Sequence, residues 1–340
     1  MGIYWHMWMP SGRGPVSSAL VQALSVSPHE LPTHLAESFV DGDAITDEDL
    51  QLTLFLCYEL HYRGWTGVDP DWEWEPSLLA LRAVAERRFE AALRALVGPI
   101  APVAPSEVPR ALGALVDADD GPSLARHLQS RASMAQFREF VTHRSIYHLR
   151  EADPHTWAIP RLDGRAKAAL IEIQMDEYGG GRFPRMHAEL FRTTMAGLDL
   201  DTTYGRYVEV VPAITLATNN VTSLFGLHRR LRGAVLGHLA ALEMTSSLPN
   251  RRYGNGLRRL GATERTTHFY DEHVEADAVH EQIAANDMCG SFATDEPERA
   301  VDVLFGAACA LAVERLFAVH LLSAWEHGGS SLRTVAAVAS

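Results

Sequence analysis

The sequence predicts an all-α protein. Strand signals are nearly absent, with a β-branched alternation only briefly over Tyr207 to Val211, whereas apolar residues at helical spacing recur through the 340 residues. At 47% hydrophobic, the chain can bury a large core. Taken in order, helices are expected over 47–62, 76–97, 107–115, 121–129, 132–151, 163–178, 184–196, 212–224, 226–245, 263–286 and 296–326. The breaks between them are marked by Gly and Pro. The stretch Val97 to Pro109 is rich in Pro and Ala and is a candidate seam. Pro154 ends the 132–151 helix, placing Glu151 in its last turn. Gly179, Gly180 and Gly181 with Pro184 separate the next two helices. Gly254 to Gly261 reads as a loop into the helix that follows. The longest apolar stretch, Val301 to Trp325, is interrupted by Asp302, Glu314, Arg315 and His320, so it is expected to be a core helix rather than a membrane span.

Composition excludes several classes of function. A formal net charge of −13 repels a phosphate backbone or an anionic membrane over most of the surface, so no nucleic-acid or membrane partner is expected. Cys57, Cys289 and Cys309 lie far apart, with no C-x-x-C pair, and read as reduced thiols of a cytoplasmic protein. The first thirteen residues lack a charged region followed by an apolar run, unlike a signal peptide.

The segment from Phe269 to His280 contains His-x3-Asp-x2-His: His273, Asp277 and His280. On a helix, positions four and seven residues onward return to within about 40° and 20° of the first. The three side chains therefore share a face. Two imidazoles and a carboxylate suit iron, manganese or zinc better than calcium or a thiolate metal. Three ligands on one helix leave a metal half coordinated, and two other places can complete the shell. Glu177 and His187 are ten residues apart, about 80° around a straight helix, but the three glycines and Pro184 between them can re-aim the histidine. Glu151 stands at a helix end where an anion opposes the dipole, which a nearby cation would compensate.

This arrangement resembles the haem-oxygenase-like diiron oxidases and oxygenases, also called iron-containing redox enzymes, over roughly 130 to 285. Their pattern is a Glu on one helix, Glu-x9-His on the next, and His-x3-Asp-x2-His on a third. Here it falls on Glu151, on Glu177 with His187, and on His273, Asp277 and His280. The resemblance implies a haem-oxygenase-like helical bundle over 126–340, with an N-terminal helical extension over 1–125 packed on it. It also implies that Glu151, His187 and His273 hold one iron while Glu177, Asp277 and His280 hold the other, some carboxylates bridging. The expected chemistry is reduction of O2, as co-substrate, to a bridging peroxide by two Fe(II) ions that become Fe(III). An external reductant of unknown identity and a small-molecule substrate are required, and a homodimer is expected from the resemblance alone. N-oxygenation of an amine-bearing metabolite is the leading expectation. Oxidative C–C cleavage or desaturation of an amino acid or fatty acid is the alternative. An arginine with an opposing acid would favour an amino acid, and a uniformly apolar pocket a fatty acid.

Other signals weigh less. No Glu-x-x-His occurs, which disfavours ferritin-like diiron sites. His29 and His34 are five residues apart with Pro32 between them, so they do not form a zinc-protease pair. Gly254 to Gly261 is a poor dinucleotide fingerprint, and Gly179 to Gly181 lacks the Lys of a phosphate loop. Arg251, Arg252, Arg258 and Arg259 read as a solvated cluster before a carboxylate grip. Glu59, His61, Tyr62, Glu243, Glu314 and His320 are explained by mutual pairing before catalysis, and Trp72 and Trp74 by packing. One of Tyr147, Tyr178 and Tyr270 is expected beside the metal. Two readings of another class remain: a metal-free helical binding protein, or a thiaminase-like hydrolase, which would need one of the three cysteines beside a base.

Overall fold

The structure is a computed structural model that describes residues 7–40 and 42–334, apart from the side chains of 275–278. Among the described residues there is no strand. The helices are α1 (Pro15–Leu24), α2 (Glu48–Glu59), α3 (Pro76–Val97), α4 (Val108–Asp117), α5 (Leu124–Ser130), α6 (Met134–His148), α7 (Asp153–Thr156), α8 (Gly164–Glu177), α9 (His187–Gly197), α10 (Ala213–Leu227), α11 (Arg232–Arg259), α12 (Glu264–Gln282), α13 (Ser291–Asp295) and α14 (Ala300–Glu326). A π-helix over Ile283–Gly290 joins α12 to α13.

Helix starts follow local chemistry. Asp47 accepts from the backbone N–H groups of Asp49 and Leu50 at the start of α2, Ser133 and Gln136 form a reciprocal capping box on α6, and Thr263 caps α12. Pro76 opens α3, where its missing N–H has no helical partner to lose.

The long helix α11 is the spine. It packs against α14 on one side and α12 on another, with α5 crossing its end; α10 completes the wall against α2 and α14. The core is one continuous apolar cluster running from Val16 through Phe55, Phe140, Phe225 and Phe269 to Phe317. Helix α14 is the one helix among the described residues long and apolar enough to cross a membrane, but most of its apolar window is buried inside the fold. Helices α1 to α5 lie on the outside of this frame, α2 on α10, α3 and α4 on α14, and α5 on α11.

The brief alternation over 207–211 forms turns, in keeping with the all-α expectation. Four expectations are corrected. The first helix begins at Pro15, not near residue 47. Helix α6 stops at His148, so Glu151 stands beyond the helix rather than in its last turn. Ala152 adopts a positive φ of 73°, and Pro154 opens the short α7. Gly254 to Arg259 is the last stretch of α11, not a loop, because the missing side chain of Gly256 is what lets α11 approach α5: a Cβ there would lie 2.5 Å from the Leu128 carbonyl oxygen. Last, α12 gives way to a π-helix at Ile283, inside the expected 263–286 helix.

The glycine run between α8 and α9 is a true turn. Gly179, Gly180 and Gly181 have φ of 63°, 61° and 73°, and a Cβ on Gly179 would sit 2.5 Å from the backbone carbon of Arg185. Gly179→Ala is expected to cost at least about 2 kcal/mol, from the left-handed backbone and the clash together, measured as a lowered midpoint in urea unfolding.

Candidate metal centre

The helix ends and breaks described above converge on one cavity of about 280 Å³ between α6, α10, α11, α12 and α14. At one end lie two groups of buried side chains. In the first, Glu151, Glu177, His187 and His273 each offer an atom within 4.8 Å of the others; in the second, Glu177, Glu243 and His280 do the same. Glu177 belongs to both.

Each member is aimed by its element. Glu177 is the last residue of α8, and the glycine turn that follows brings His187 back as the first residue of α9, its Nδ1 3.0 Å from Glu177 Oε2. His273 places Nδ1 2.8 Å from the Phe269 carbonyl one turn back in α12. A carbonyl can only accept, so Nδ1 carries a proton, and Nε2 faces Glu151 Oε1, 3.7 Å away. The His187 and His273 rings are 4.4 Å apart between centroids. Two turns further along α12, His280 has Nδ1 3.3 Å from Glu243 and Nε2 3.0 Å from Asp176. Asp277, the third residue expected on this helix, has its side chain outside the described residues.

Electrostatics in this end of the cavity is unbalanced in a telling way. Burial alone would raise the Glu151 carboxyl, but His148 and His273 outweigh it and hold it well below the usual carboxylate range. Burial would lower His280, yet Glu243 and Asp176 push it up to about 9. His187 is raised against its own burial by Glu177. Glu151 Oε2 is buried without a hydrogen bond, and Glu177 with His187 and Glu243 with His280 meet as close buried pairs. A buried acceptor without a donor is costly. Adjoining groups of carboxylate oxygen and imidazole nitrogen fit hard to borderline cations such as ferrous iron.

The structure thus brings together five of the six expected residues, Glu151, Glu177, His187, His273 and His280. It also adds Glu243, whose pairing partner is His280 itself. His148, which bonds Glu151 through Nδ1 at 2.7 Å, orients that carboxylate.

The remaining candidates separate clearly. Tyr147 lines the cavity, its hydroxyl raised well above the ordinary tyrosine value first by burial and then by Glu151, Glu177 and Glu243. Tyr270 also lines it, its hydroxyl buried without a hydrogen bond. Tyr178 faces a separate groove, bonded to Asp153 and Thr156. Glu314 pairs with Arg144 through two hydrogen bonds of 2.8 and 2.6 Å in the cavity wall. Glu59 pairs with Arg150, His61 with Glu73, and His320 with the Ser331 carbonyl. Trp72 packs in the core, while Trp74 is exposed and edges against His61. Of the arginines near the end of α11, Arg258 bonds Asp271 and Arg259 bonds carbonyls of 128, 129 and 132; none lines the cavity.

A family described as iron-containing redox enzyme matches residues 138–315. That span is just over half of the chain and contains every member of both buried groups. The fold and the site thus define an all-α, haem-oxygenase-like oxidoreductase that uses iron. The chain belongs to the iron-containing redox enzyme family. No curated protein matches it.

The hydrolase reading lacks a nucleophile. Burial pushes the Cys57 thiol up to about 12 and raises Cys289 and Cys309 further, and none of the three lines the cavity. A maleimide reagent at pH 7.5 is expected to leave the folded protein unlabelled and to label three thiols after denaturation, read by intact mass. Rapid labelling of one thiol in the folded chain would revive the hydrolase.

Proposed function

We propose that this chain binds two iron ions and uses O2 to N-oxygenate a small amine-bearing substrate. The observation that carries the two-iron reading is the position of Glu177 in both of two adjoining buried groups of carboxylates and imidazoles. Glu151, His187 and His273 would hold one ion and Glu243, His280 and Asp277 the other, with Glu177 shared. When bound, the irons supply the electrons that activate O2. Conversion of an amine and O2 to a hydroxylamine and water consumes two further electrons and two protons, which accounts for an external reductant.

The cavity supports an amine. Glu151, Glu177, Glu243 and Glu314 face it against the single guanidinium of Arg144, so a cation is attracted and an anion discouraged. His155 and His238 also line it, with His155 Nε2 3.2 Å from His238 Nδ1 and His238 Nε2 3.2 Å from Thr222 Oγ1. Burial lowers both imidazoles and keeps them neutral. His155 Nδ1 is buried without a hydrogen bond. With its proton on Nε2, His155 offers Nδ1 as an acceptor for a substrate N–H; with the tautomers reversed, it offers a donor. The pair can therefore hold a substrate amine by a hydrogen bond at Nδ1.

One observation favours an amino acid among such amines, and bears equally on the C–C cleavage alternative. The Arg144–Glu314 pair uses only part of its capacity: the guanidinium has five N–H donors and the carboxylate about four acceptor sites. A zwitterionic head group placed against the pair meets a cation with its carboxylate and an anion with its ammonium. A fatty acid meets Glu314 with nothing to offer it.

An anaerobic ferrous titration of metal-free protein is expected to reach two ions per chain, and His273→Ala to bind fewer. Reduced, iron-loaded protein supplied with a panel of amino acids carrying a second amine is expected to yield a product heavier by one oxygen, by mass spectrometry under labelled O2. Saturation at one ion would reject the two-iron reading. A desaturated or cleaved product without incorporated oxygen would replace N-oxygenation by the alternative.

A further inference from the structure

We infer that the segment preceding the matched family region takes part in the site: Glu59 of α2 clamps Arg150, and Arg150 is a positioning residue that aims Glu151. The inference rests on Glu151 being an iron ligand, as proposed above.

Glu151 is not held by a helix. The last residue of α6 is His148, and the Glu151 N–H reaches the His148 carbonyl only at 3.4 Å. His148 holds the carboxylate end through a 2.7 Å hydrogen bond, and the backbone from which the side chain springs is set by whatever fixes the residues on either side. On the far side, Ala152 holds a positive φ of 73°, and its carbonyl accepts from Gln174 Nε2 at 2.9 Å and Thr156 Oγ1 at 3.2 Å. A strained alanine persists only where its surroundings over-determine it.

On the near side stands Arg150, 1% exposed. Its Nη1 donates to Glu59 Oε2 at 3.1 Å, and Glu59 is fully buried. The Tyr204 hydroxyl bonds both Glu59 oxygens, at 2.9 and 2.8 Å. The guanidinium lies 4.3 Å over the Tyr62 ring and 5.5 Å from that of Phe55. Tyr62 is itself fixed by a 3.0 Å hydrogen bond to Ser223 on α10. Phe55, Glu59 and Tyr62 all precede residue 138, where the family match begins.

This is a poor way to gain stability. Burying an ion pair is often no better than an apolar pair of the same volume, and Arg150 Nε and Nη2 are buried here without a hydrogen bond. What the pair does supply is direction. A planar guanidinium between a fixed carboxylate and a fixed ring has one orientation, and it is one peptide unit from Glu151.

The test separates aim from stability in the full-length chain, using Glu59→Leu, Arg150→Met and the double variant. Each single leaves a buried charge without its partner and is expected to lower the unfolding midpoint of metal-free protein. The double removes both charges and is expected to return the midpoint to near wild type. In a ferrous titration the wild type takes two ions, while the double variant, though stable, binds one of them about 10- to 100-fold more weakly, the usual effect of losing a group that orients a ligand. Cobaltous absorption spectra, read on the same proteins, are expected to change at that ion only. The inference is overturned if the double variant binds both ions with wild-type affinity, if the single variants do, or if the double does not fold, which would make the pair a stability element. A wild type that takes up no ferrous ion would remove the iron-ligand reading of Glu151 itself, and this inference with it.

Discussion

The structure is organised around the cost of burying acid. Glu151, Glu177 and Glu243 are buried together at the cavity, and the guanidinium in its wall is already held by a fourth acid, Glu314. Carboxylates in such a place either take up protons or find cations. Histidines meet part of the demand, with His148 on Glu151, His187 on Glu177 and His280 on Glu243. His148 bonds one Glu151 oxygen and leaves the other, Oε2, buried without a hydrogen bond. An apolar core would be the simpler solution. The fold instead spends a helix end, a glycine turn and a long spine on holding these groups together, which makes sense for a protein of an iron-using family.

The same constraint explains why the site is built at interruptions. A regular helix can present i and i+7 on one face, as α12 does with His273 and His280, but it cannot turn a second row of side chains towards the first. Glu151 gains its freedom by standing past the end of α6, Glu177 and His187 by flanking a left-handed glycine turn, and α11 changes character near Pro249, six residues beyond Glu243. Pro249 lacks the N–H that would bind the Thr245 carbonyl, and both residues line the cavity. The π-helix that follows α12 adds another departure next to the ligand-bearing segment. Each irregularity costs stability locally, and the continuous apolar cluster around the spine is what offsets it.

Much of this was legible in the residues, and the rest was hidden for identifiable reasons. Spacing along one helix revealed His273 and His280, because helical periodicity is a property of a short window. The break at Gly179 to Gly181 showed that His187 could be turned towards Glu177, since three glycines in succession leave little else to be. Glu243 was not legible as a member of the buried cluster: a lone acid on an apolar helix carries no spacing signal, and its partner His280 is on a different helix. Glu151 was found, but not its setting, because nothing local distinguishes a carboxylate in a last helical turn from one just beyond it. Gly254 and Gly256 misled for the opposite reason, their low helix propensity being overridden by close approach to α5. The Arg150–Glu59 pair joins residues ninety-one apart, a contact that only the fold reveals.

Glu177 is where these lines meet. Among the described residues it is the carboxylate common to both groups, it ends α8 just before the glycine turn, and its neighbour Asp176 touches His280 while its own oxygen faces His187. Any displacement of α8 would therefore move both groups at once, whereas a displacement of α11 reaches only the group containing Glu243. Gln174, one turn earlier on α8, holds the Ala152 carbonyl beside Glu151. Helix α8 thus links the two groups and the loop that carries Glu151, and α12, with His273 in one group and His280 in the other, is the second element that spans them, so the packing of these two helices sets how closely the groups keep their spacing.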